Sequence, residues 1–435
     1  MNEIEMRLSS GRSTGSEVLR ANSVDRRRRA HPRSDSIAGP ATRARRIASS
    51  LAVPMAVPLA MLTAVPLAAA AQEPPTLLAS TTGDAGAVVA GLPDLDDSSI
   101  LRLRENAEPL PFLLEGSWRG MANFAPGDVD GLALRPGYPS YSAGALAFSL
   151  LSNEQGFLDG DVLGLAPGGG VEILITEESI AAALGLPGVG IDLDAIAFDE
   201  AGQLVFSLQS DQSASVLGDL SNGDVLRLDA GGGVTRLATE ADVDAALEQA
   251  TALSVGVGDV QGVAVVAGEL WVVVQGPGSM DGGVLALGAN ARVVADEVTL
   301  GLAGEELDAL AVVSDGTEPL SLWVDAPGAE GMGSCRAGTP FGPGVVVASG
   351  AAGWESASYA AGVGAWYVDP LDPVLSALLG TGGGYVVFGA DGSFDSPFSL
   401  PTSGAGLGWD GASGWTFQVL DLTSLRLSAP YRRDL

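Results

Sequence analysis

Four short acidic patterns recur in this chain, each running into a small residue and then an apolar one: Asp128-Val-Asp130-Gly, Asp192-Leu-Asp194-Ala, Asp259-Val-Gln261-Gly and Glu306-Leu-Asp308-Ala. In a β-strand residues two apart share a face, so each pattern sets two oxygen-bearing side chains side by side where a strand begins. Neighbouring carboxylates repel unless something compensates them. They can accept backbone N–H groups in the turn that enters the strand, or they can hold a hard cation. Asp128, Asp130, Asp192, Asp194, Glu306 and Asp308 are therefore candidate Ca²⁺ ligands, with turn carbonyls and water completing the shell. Gln261 departs from the pattern in the third copy, and no EF-hand loop is present. A carboxylate pair is also sufficient for glycoside hydrolysis, at about 5 to 9 Å separation. A catalytic pair need occur only once, however, and these recur in nearly every copy. The repetition points to a structural or ion-binding role, with a carboxylate-based glycoside-processing enzyme as the alternative.

Other chemistry is narrowed by what the chain lacks. All 22 basic residues are arginine, the one histidine is His31, and the one cysteine is Cys335. Beyond His31 there is no imidazole for Ser-His-Asp or Cys-His catalysis, for His-ligated zinc or for ordinary haem ligation. The absence of lysine excludes Schiff bases and the P-loop, so Gly168–Gly170, Gly231–Gly233 and Gly382–Gly384 read as turn glycines. A lone cysteine makes no internal disulfide. A binding function needs only a surface, and the aromatic residues Trp118, Tyr138, Tyr141, Trp354, Tyr359, Trp366, Trp409 and Trp415 could supply one. Trp271, Trp323 and Trp415 read better as core. The stretch from Gly350 to Asp369, with Trp354, Tyr359 and Trp366, is the candidate ligand-binding face.

The elements that position these residues repeat. The tetrads Ile100–Leu103, Val162–Leu165, Val225–Leu228 and Val284–Leu287 recur at a period near 60 residues, the mark of a repeat architecture. Gly160–Val171 and Gly223–Val234 each lead through a Gly-rich turn into a second apolar run, which reads as a β-hairpin. A short helix follows in both copies, opened by a threonine cap at Thr176 or Thr239 and acidic first turns. Then come the acidic pattern with a third run and, after it, a fourth: Leu146–Leu150, Leu204–Leu208, Leu270–Val274 and Leu320–Val324. Four strands per period make one blade of a β-propeller. The expectation is an all-β propeller of five or six four-stranded blades over residues 96–428, with Tyr385–Val419 as one further unit and an abbreviated one between Gly344 and Pro370. An open β-solenoid or packed sandwiches are the alternative. The Asp-Leu-Asp-Ala-Ile-Ala and Leu-Val-Phe-Ser-Leu runs alternating with Gly-Asp-Val-Leu resemble the repeats of uncharacterised exported bacterial proteins with propeller-like sheets. That resemblance spans roughly Ser98 to Asp325 and implies fold and export, not an activity.

Charge divides the chain. With 53 acids the formal net charge is −31, yet residues 1–46 carry eleven arginines against five acids. This basic arm leads into an uncharged segment, residues 47–71, that ends in Ala69-Ala70-Ala71, as a signal peptide would. An uncleaved membrane anchor is the alternative. Residues 72–95 then read as a linker and 429–435 as a tail. The acidic remainder repels phosphate backbones and anionic lipids, so neither nucleic acid nor membrane is an expected partner after cleavage. The expected protein is a secreted or periplasmic monomer, a non-enzymatic binding or scaffolding module with an extracellular protein or glycan as partner.

Overall fold

The computed structural model describes residues 75–81, 95, 97–122, 125–137, 145–166, 170–253, 256–276, 280–302, 306–313, 320–325, 330–336, 338, 340–349, 358–360, 364–366, 384–399, 414–428 and 430–434. The basic arm and the apolar segment lie outside them, as does most of the stretch from Gly350 to Asp369. No helix among the described residues is long and apolar enough to cross a membrane.

The chain opens with β1 (Thr76–Thr81), β2 (Ile100–Leu103), β3 (Leu110–Leu113) and α1 (Glu115–Ala122). Next come β4 (Val129–Leu134), β5 (Leu146–Leu150), β6 (Val162–Leu165), β7 (Val171–Ile175) and α2 (Glu177–Leu184). The third stretch holds β8 (Leu193–Phe198), β9 (Leu204–Leu208), a side hairpin of β10 (Gln212–Ser215) and β11 (Gly218–Leu220), then β12 (Val225–Leu228), β13 (Val234–Ala238) and α3 (Glu240–Thr251). A fourth adds β14 (Asp259–Val266), β15 (Glu269–Gln275), β16 (Gly283–Ala286), β17 (Arg292–Ala295) and β18 (Leu307–Val313). These strands form four antiparallel four-stranded sheets, ordered β18-β1-β2-β3, β4-β5-β6-β7, β8-β9-β12-β13 and β14-β15-β16-β17. The recurring tetrads are the third strands, and the acidic patterns open the first.

The inner strands of each sheet are covered on both faces, which is why they read as continuous apolar runs rather than alternating ones, while the outer strands β7, β13 and β17 are partly exposed. Alternate residues of β1 go to different neighbours. Leu78 packs with Leu132, Phe148 and Trp118 towards the second sheet, while Leu77 and Ala79 pack with Val273, Val284 and Trp271 of the fourth. Ile196 and Phe206 meet Ala133, Val162 and the α2 residues Ile180 and Leu184, and Val205 and Ala195 meet Val263, Val272 and the α3 residues Val243 and Leu247. Each sheet thus packs on two others, and the cycle returns to its start. Burying one such side chain fully contributes about 1.5–3 kcal/mol. The arrangement is all-β and propeller-like.

Both expected helices are present with their caps. Thr176 accepts from the Ser179 N–H at 3.3 Å, and Thr239 forms a reciprocal capping box with Asp242. Asp161 and Asp224 of the repeated Gly-Asp accept the N–H groups of Glu177 (2.9 Å) and Glu240 (3.0 Å) at the first turns of α2 and α3. Those two acids tie a third strand to the helix that follows it.

The stretch 72–95, read as a linker, holds β1, a wholly buried strand paired on one side with β18 and on the other with β2. Among the described residues four four-stranded sheets of the repeat pattern occur between Thr76 and Val313, against an expectation of five or six blades across 96–428. Beyond them lie β19 (Ser321–Asp325), β20 (Glu330–Arg336), β21 (Pro343–Ser349), β22 (Ser358–Ala360), β23 (Gly364–Trp366), β24 (Tyr385–Val387), β25 (Phe394–Ser399), β26 (Gly414–Asp421), β27 (Arg426–Leu427) and β28 (Tyr431–Asp434). They pair as β19-β20-β25, as β24-β21-β26-β27 with β28 also on β26, and as a β22-β23 hairpin. The run from Tyr385 to Val419 is therefore divided between two sheets and is not a further unit. The expected tail at 429–435 supplies β28, which packs against α1.

The run Leu320–Val324 aligns in sequence with Leu146–Leu150, Leu204–Leu208 and Leu270–Val274, which lie in the second strands β5, β9 and β15, but β1 fills that place beside β18. Aligned on Leu146–Leu150, Leu77–Thr81 puts Ser80 where β5 has Ser149 and β9 has Ser207; the later run would put Trp323 there. That position is crowded by the neighbouring sheet: a Cβ on Gly131, which faces Ser149 in the ladder, would lie 2.3 Å from the Ser149 hydroxyl and 3.2 Å from Ile196 Cγ1. A serine fits and an indole does not. The small residue is useful, because the Ser80 hydroxyl donates to the Val129 carbonyl and the Ser207 hydroxyl to the Val260 carbonyl, both at 2.8 Å and both on the next sheet's first strand. The Ser149 hydroxyl is buried without a partner. Ser207→Ala is expected to lower stability by about 1 kcal/mol, and Ser149→Ala to leave it unchanged or raise it. Urea denaturation of the two variants measures the contrast, and equal losses would overturn it.

Candidate functional site

The acidic patterns from the four sheets meet at one end of the ring. In the β4–β5 ladder the register skips between Val129 and Gly131, in β8–β9 between Leu193 and Ala195, and in β14–β15 between Val260 and Gly262. In β18–β1 it skips opposite Ser80/Thr81, passing over Asp308. Asp130, Asp194, Gln261 and Asp308 are thus the same bulge residue in four first strands. A bulge leaves its extra residue unpaired and re-aims the side chain. The four first strands neighbour one another in the order β4, β8, β14, β18 and back to β4. All four bulge residues are buried, at 1% exposure for Asp130, 4% for Asp194, 8% for Gln261 and 6% for Asp308.

A second tier surrounds them. Asp128, Asp192, Asp259 and Glu306 stand two residues earlier and are half-buried. Because neighbouring strands are antiparallel, the connection between the second and third strands returns to the end where the first strand begins. Those connections carry Asp97, Asp159, Asn222 and Asp281, also half-buried. Their charges register on the first strands: Asp159 acts on Asp192 and Asp97 on Asp308. Asn222 hydrogen-bonds Asp259 and donates to the Gly258 carbonyl at 3.3 Å, while the backbone at Gly282, next to Asp281, abuts Glu306. A half-exposed rim of carboxylates thus surrounds a buried ring of three carboxyls and one amide.

The electrostatics follow from that crowding. Burial pushes the Asp130 carboxyl up to about 10, and the charges of Asp194, Asp308, Asp192 and Asp128 add to the rise. Burial raises Asp308 to about 8, with Asp128, Asp97, Glu306 and Asp259 contributing. Asp192, nearer the rim, goes to about 7 through burial first and then Asp159 and Glu177, against one hydrogen bond from the Leu193 N–H. Asp194 and Asp259 share a hydrogen bond, and burial raises both; the more deeply buried Asp194 keeps the proton. At neutral pH the inner ring is held as neutral acids. Asp130 Oδ2, Asp194 Oδ2, Asp192 Oδ1 and Gln261 Oε1 are buried without a hydrogen-bond partner, an expensive state for oxygen acceptors.

All six proposed calcium ligands lie here. The sequence set them out as separate pairs, one per unit, whereas the fold gathers them. Among the described residues no three His, Cys, Asp or Glu side chains stand close enough, as they lie, to hold a metal. Gln261, Asp97, Asp159, Asn222 and Asp281 were missed, although the last four share one offset ahead of the recurring tetrad: Asp97, Asp159, Asn222 and Asp281 each precede Ile100, Val162, Val225 and Val284 by three residues.

The aromatic candidates fare differently. Trp118 is fully buried, its ring 4.9 Å from that of Phe148 and its indole N–H donating to the Ser98 carbonyl at 2.6 Å; it is core and not a binding surface. Trp415 and Trp271 are buried as expected. Tyr359 and Trp366 lie on the paired strands β22 and β23, whereas Trp354, Tyr138, Tyr141 and Trp409 fall outside the described residues. Cys335 is buried, its thiol pushed up to about 12 by burial, which leaves it unreactive towards a second chain. At the opposite ends of the first strands a cavity of about 260 Å³ is lined by residues 133–137, 197–200, 263–265 and 310–312.

No protein-family model matches the chain, and no curated protein matches it. Among solved structures it is similar to YCF48 bound to D1 peptide, at 12% identity and a TM-score of 0.21 over 55% of this chain and 58% of that one. It is also similar to the extracellular domain of a hybrid two component system from B. thetaiotaomicron, at 12% identity and a TM-score of 0.20 over 58% of this chain and 25% of that one. The chain therefore spans under two thirds of the length of either. Likeness at that level places no ligand or activity on this chain.

Proposed function

We propose that this chain is an exported, non-enzymatic binding or scaffolding module built on a four-bladed propeller that β1 closes, with calcium held by its acidic patterns. The observation that supports the reading is the convergence of all four acidic patterns at one end of the ring. The fold repeats the same two-tier arrangement in every unit, which suits a shared ion or ligand better than a single catalytic pair. With no lysine in the chain and no histidine beyond His31, cations from outside are the natural complement of the rim. The partner is an extracellular or periplasmic protein or glycan.

The test is the melting temperature of the chain from Gln72 onward, in chelator, in millimolar CaCl₂ and in NaCl at matched ionic strength. A ligand that binds only the folded state raises its stability by mass action, about 2.7 kcal/mol at a hundred times Kd. A rise specific to calcium supports the reading, and an equal rise with NaCl, which only screens charge, overturns its calcium part. Turnover of a polysaccharide that Asp192→Asn abolishes without loss of folding would overturn the non-enzymatic part.

A further inference from the structure

We infer that the four bulge residues Asp130, Asp194, Gln261 and Asp308 form one shared site on the ring axis for a single divalent cation of the calcium class, rather than one site per acidic pair. The inference rests on the calcium reading above and specifies it. Three observations carry it. The four residues occupy the same register position in four first strands, and those strands neighbour one another in a closed cycle, which sets the four residues together at one end of the ring. Across the ring β4 approaches β14, and β8 approaches β18, with Cα atoms within 8 Å, so a ligand shared by all four strands must be small. Gln261, the member that is not an acid, is more than nine-tenths buried, and its Oε1 has no partner. An amide carbonyl aimed into a ring of carboxyls is a ligand for a hard cation, which takes carboxylate and amide oxygens alike.

Three carboxylates and one amide would give an ion four oxygen ligands, with the rim acids drawing it in. As they lie, the carboxyls are not closed around a point. Binding must draw the ring inward and release to solvent the protons that the three carboxyls hold at neutral pH, and both costs weaken the affinity. The expected dissociation constant is about 10⁻⁴ to 10⁻³ M, as for other loosely organised calcium modules.

The test is equilibrium dialysis of the chelator-stripped chain against ⁴⁵Ca²⁺, with variants Gln261→Leu and Gln261→Glu and with each variant's melting curve in chelator as folding control. The expected result is one ion per chain, affinity about tenfold or more weaker in Gln261→Leu, and tighter in Gln261→Glu, which adds a fourth carboxylate. Three or more ions per chain, with Gln261→Leu binding as the parent does, would overturn the shared site and leave calcium at the separate pairs. Failure of the parent chain to bind at 10 mM CaCl₂ would overturn the inference and the calcium reading together, leaving the binding-module reading standing. If Gln261→Leu does not fold, Gln261→Glu decides: affinity no tighter than the parent's overturns the inference.

Discussion

Removing Thr76–Thr81 is expected to abolish the cooperative thermal transition of the ring, although the deleted residues lie more than two hundred positions from their partner strand β18. β1 is the second strand of its sheet, and Ala79 faces Leu310 on one side and Leu101 on the other. Without it, β18 and β2 are left with facing unpaired edges, and buried backbone groups that lose their partners cost about 1–3 kcal/mol each. The ring also loses Leu77 from one inter-sheet core and Leu78 from another. A milder version is Leu78→Ala, which empties a fully buried site and is expected to cost about 2–5 kcal/mol. Circular dichroism melts of the deletion, and urea titration of the point variant, check both. A deletion variant that melts as sharply as the parent would mean that β18 finds another partner, and the clasp role of β1 would be lost.

Raising the pH from 5 to 8.5 in chelator is expected to lower the melting temperature continuously, an unusual direction for so acidic a protein. Asp130, Asp192 and Asp308 have folded values of about 10, 7 and 8, and burial raises Asp194 as well. In the unfolded chain the same groups lose their protons near 4. Between those limits the folded state holds more protons than the unfolded one, so stability falls as pH rises. It is fully present below about pH 4 and drains away as each folded value is passed, at about 1.4 kcal/mol per pH unit for every group still protonated in the fold. Glu269, pulled down to about 2 by Arg292, works the opposite way, but its contribution changes only below the ordinary carboxylate range. In the double variant Asp130→Asn/Asp308→Asn, amides mimic the protonated acids, and the slope should flatten. A parent melting temperature that is level or rising over this range would show that the ring is ionised as built.

Much of the ring was legible in the sequence because each unit repeats the same physical demand. A strand covered on both faces must be apolar throughout, which made the tetrads and the Leu-Val-Phe-Ser-Leu runs easy to align. The helix caps at Thr176 and Thr239 were legible for a local reason, since a threonine followed by acids satisfies the free N–H groups of a first turn. Closure was not legible. Leu77-Leu-Ala-Ser-Thr81 carries the diagnostic serine, but it stands far from the units it completes, and periodicity compares only neighbours along the chain. The place of Leu320–Val324 was not legible for the same reason: it keeps the apolar period, and only the crowding opposite Gly131 and Gly262 tells that Trp323 does not suit the serine position. As for the site, the acidic pairs were visible as pairs. Their gathering was not, because a bulge is a property of two strands in register. Gln261 looked like a lapse in the pattern, whereas its place in the ladder makes it an equal member of the ring.

The strand that closes the ring is made early and used late. β1 is synthesised before any other described strand, yet its ladder with β18 joins Thr81 to Leu307. Non-local pairing of this kind must recover the entropy of closing a very long loop, and it slows folding accordingly. Until β18 exists, the apolar β1 waits without its principal partner, and the three sheets of residues 129–295 can assemble from local hairpins. Once β18 is made and before it has paired, the open ring presents its unpaired edge to any passing strand, including β1 of a second copy. The fold therefore carries a kinetic hazard alongside its stability: at high concentration during refolding, exchange of the first strand between chains competes with closure, and the yield of closed monomer should fall as protein concentration rises.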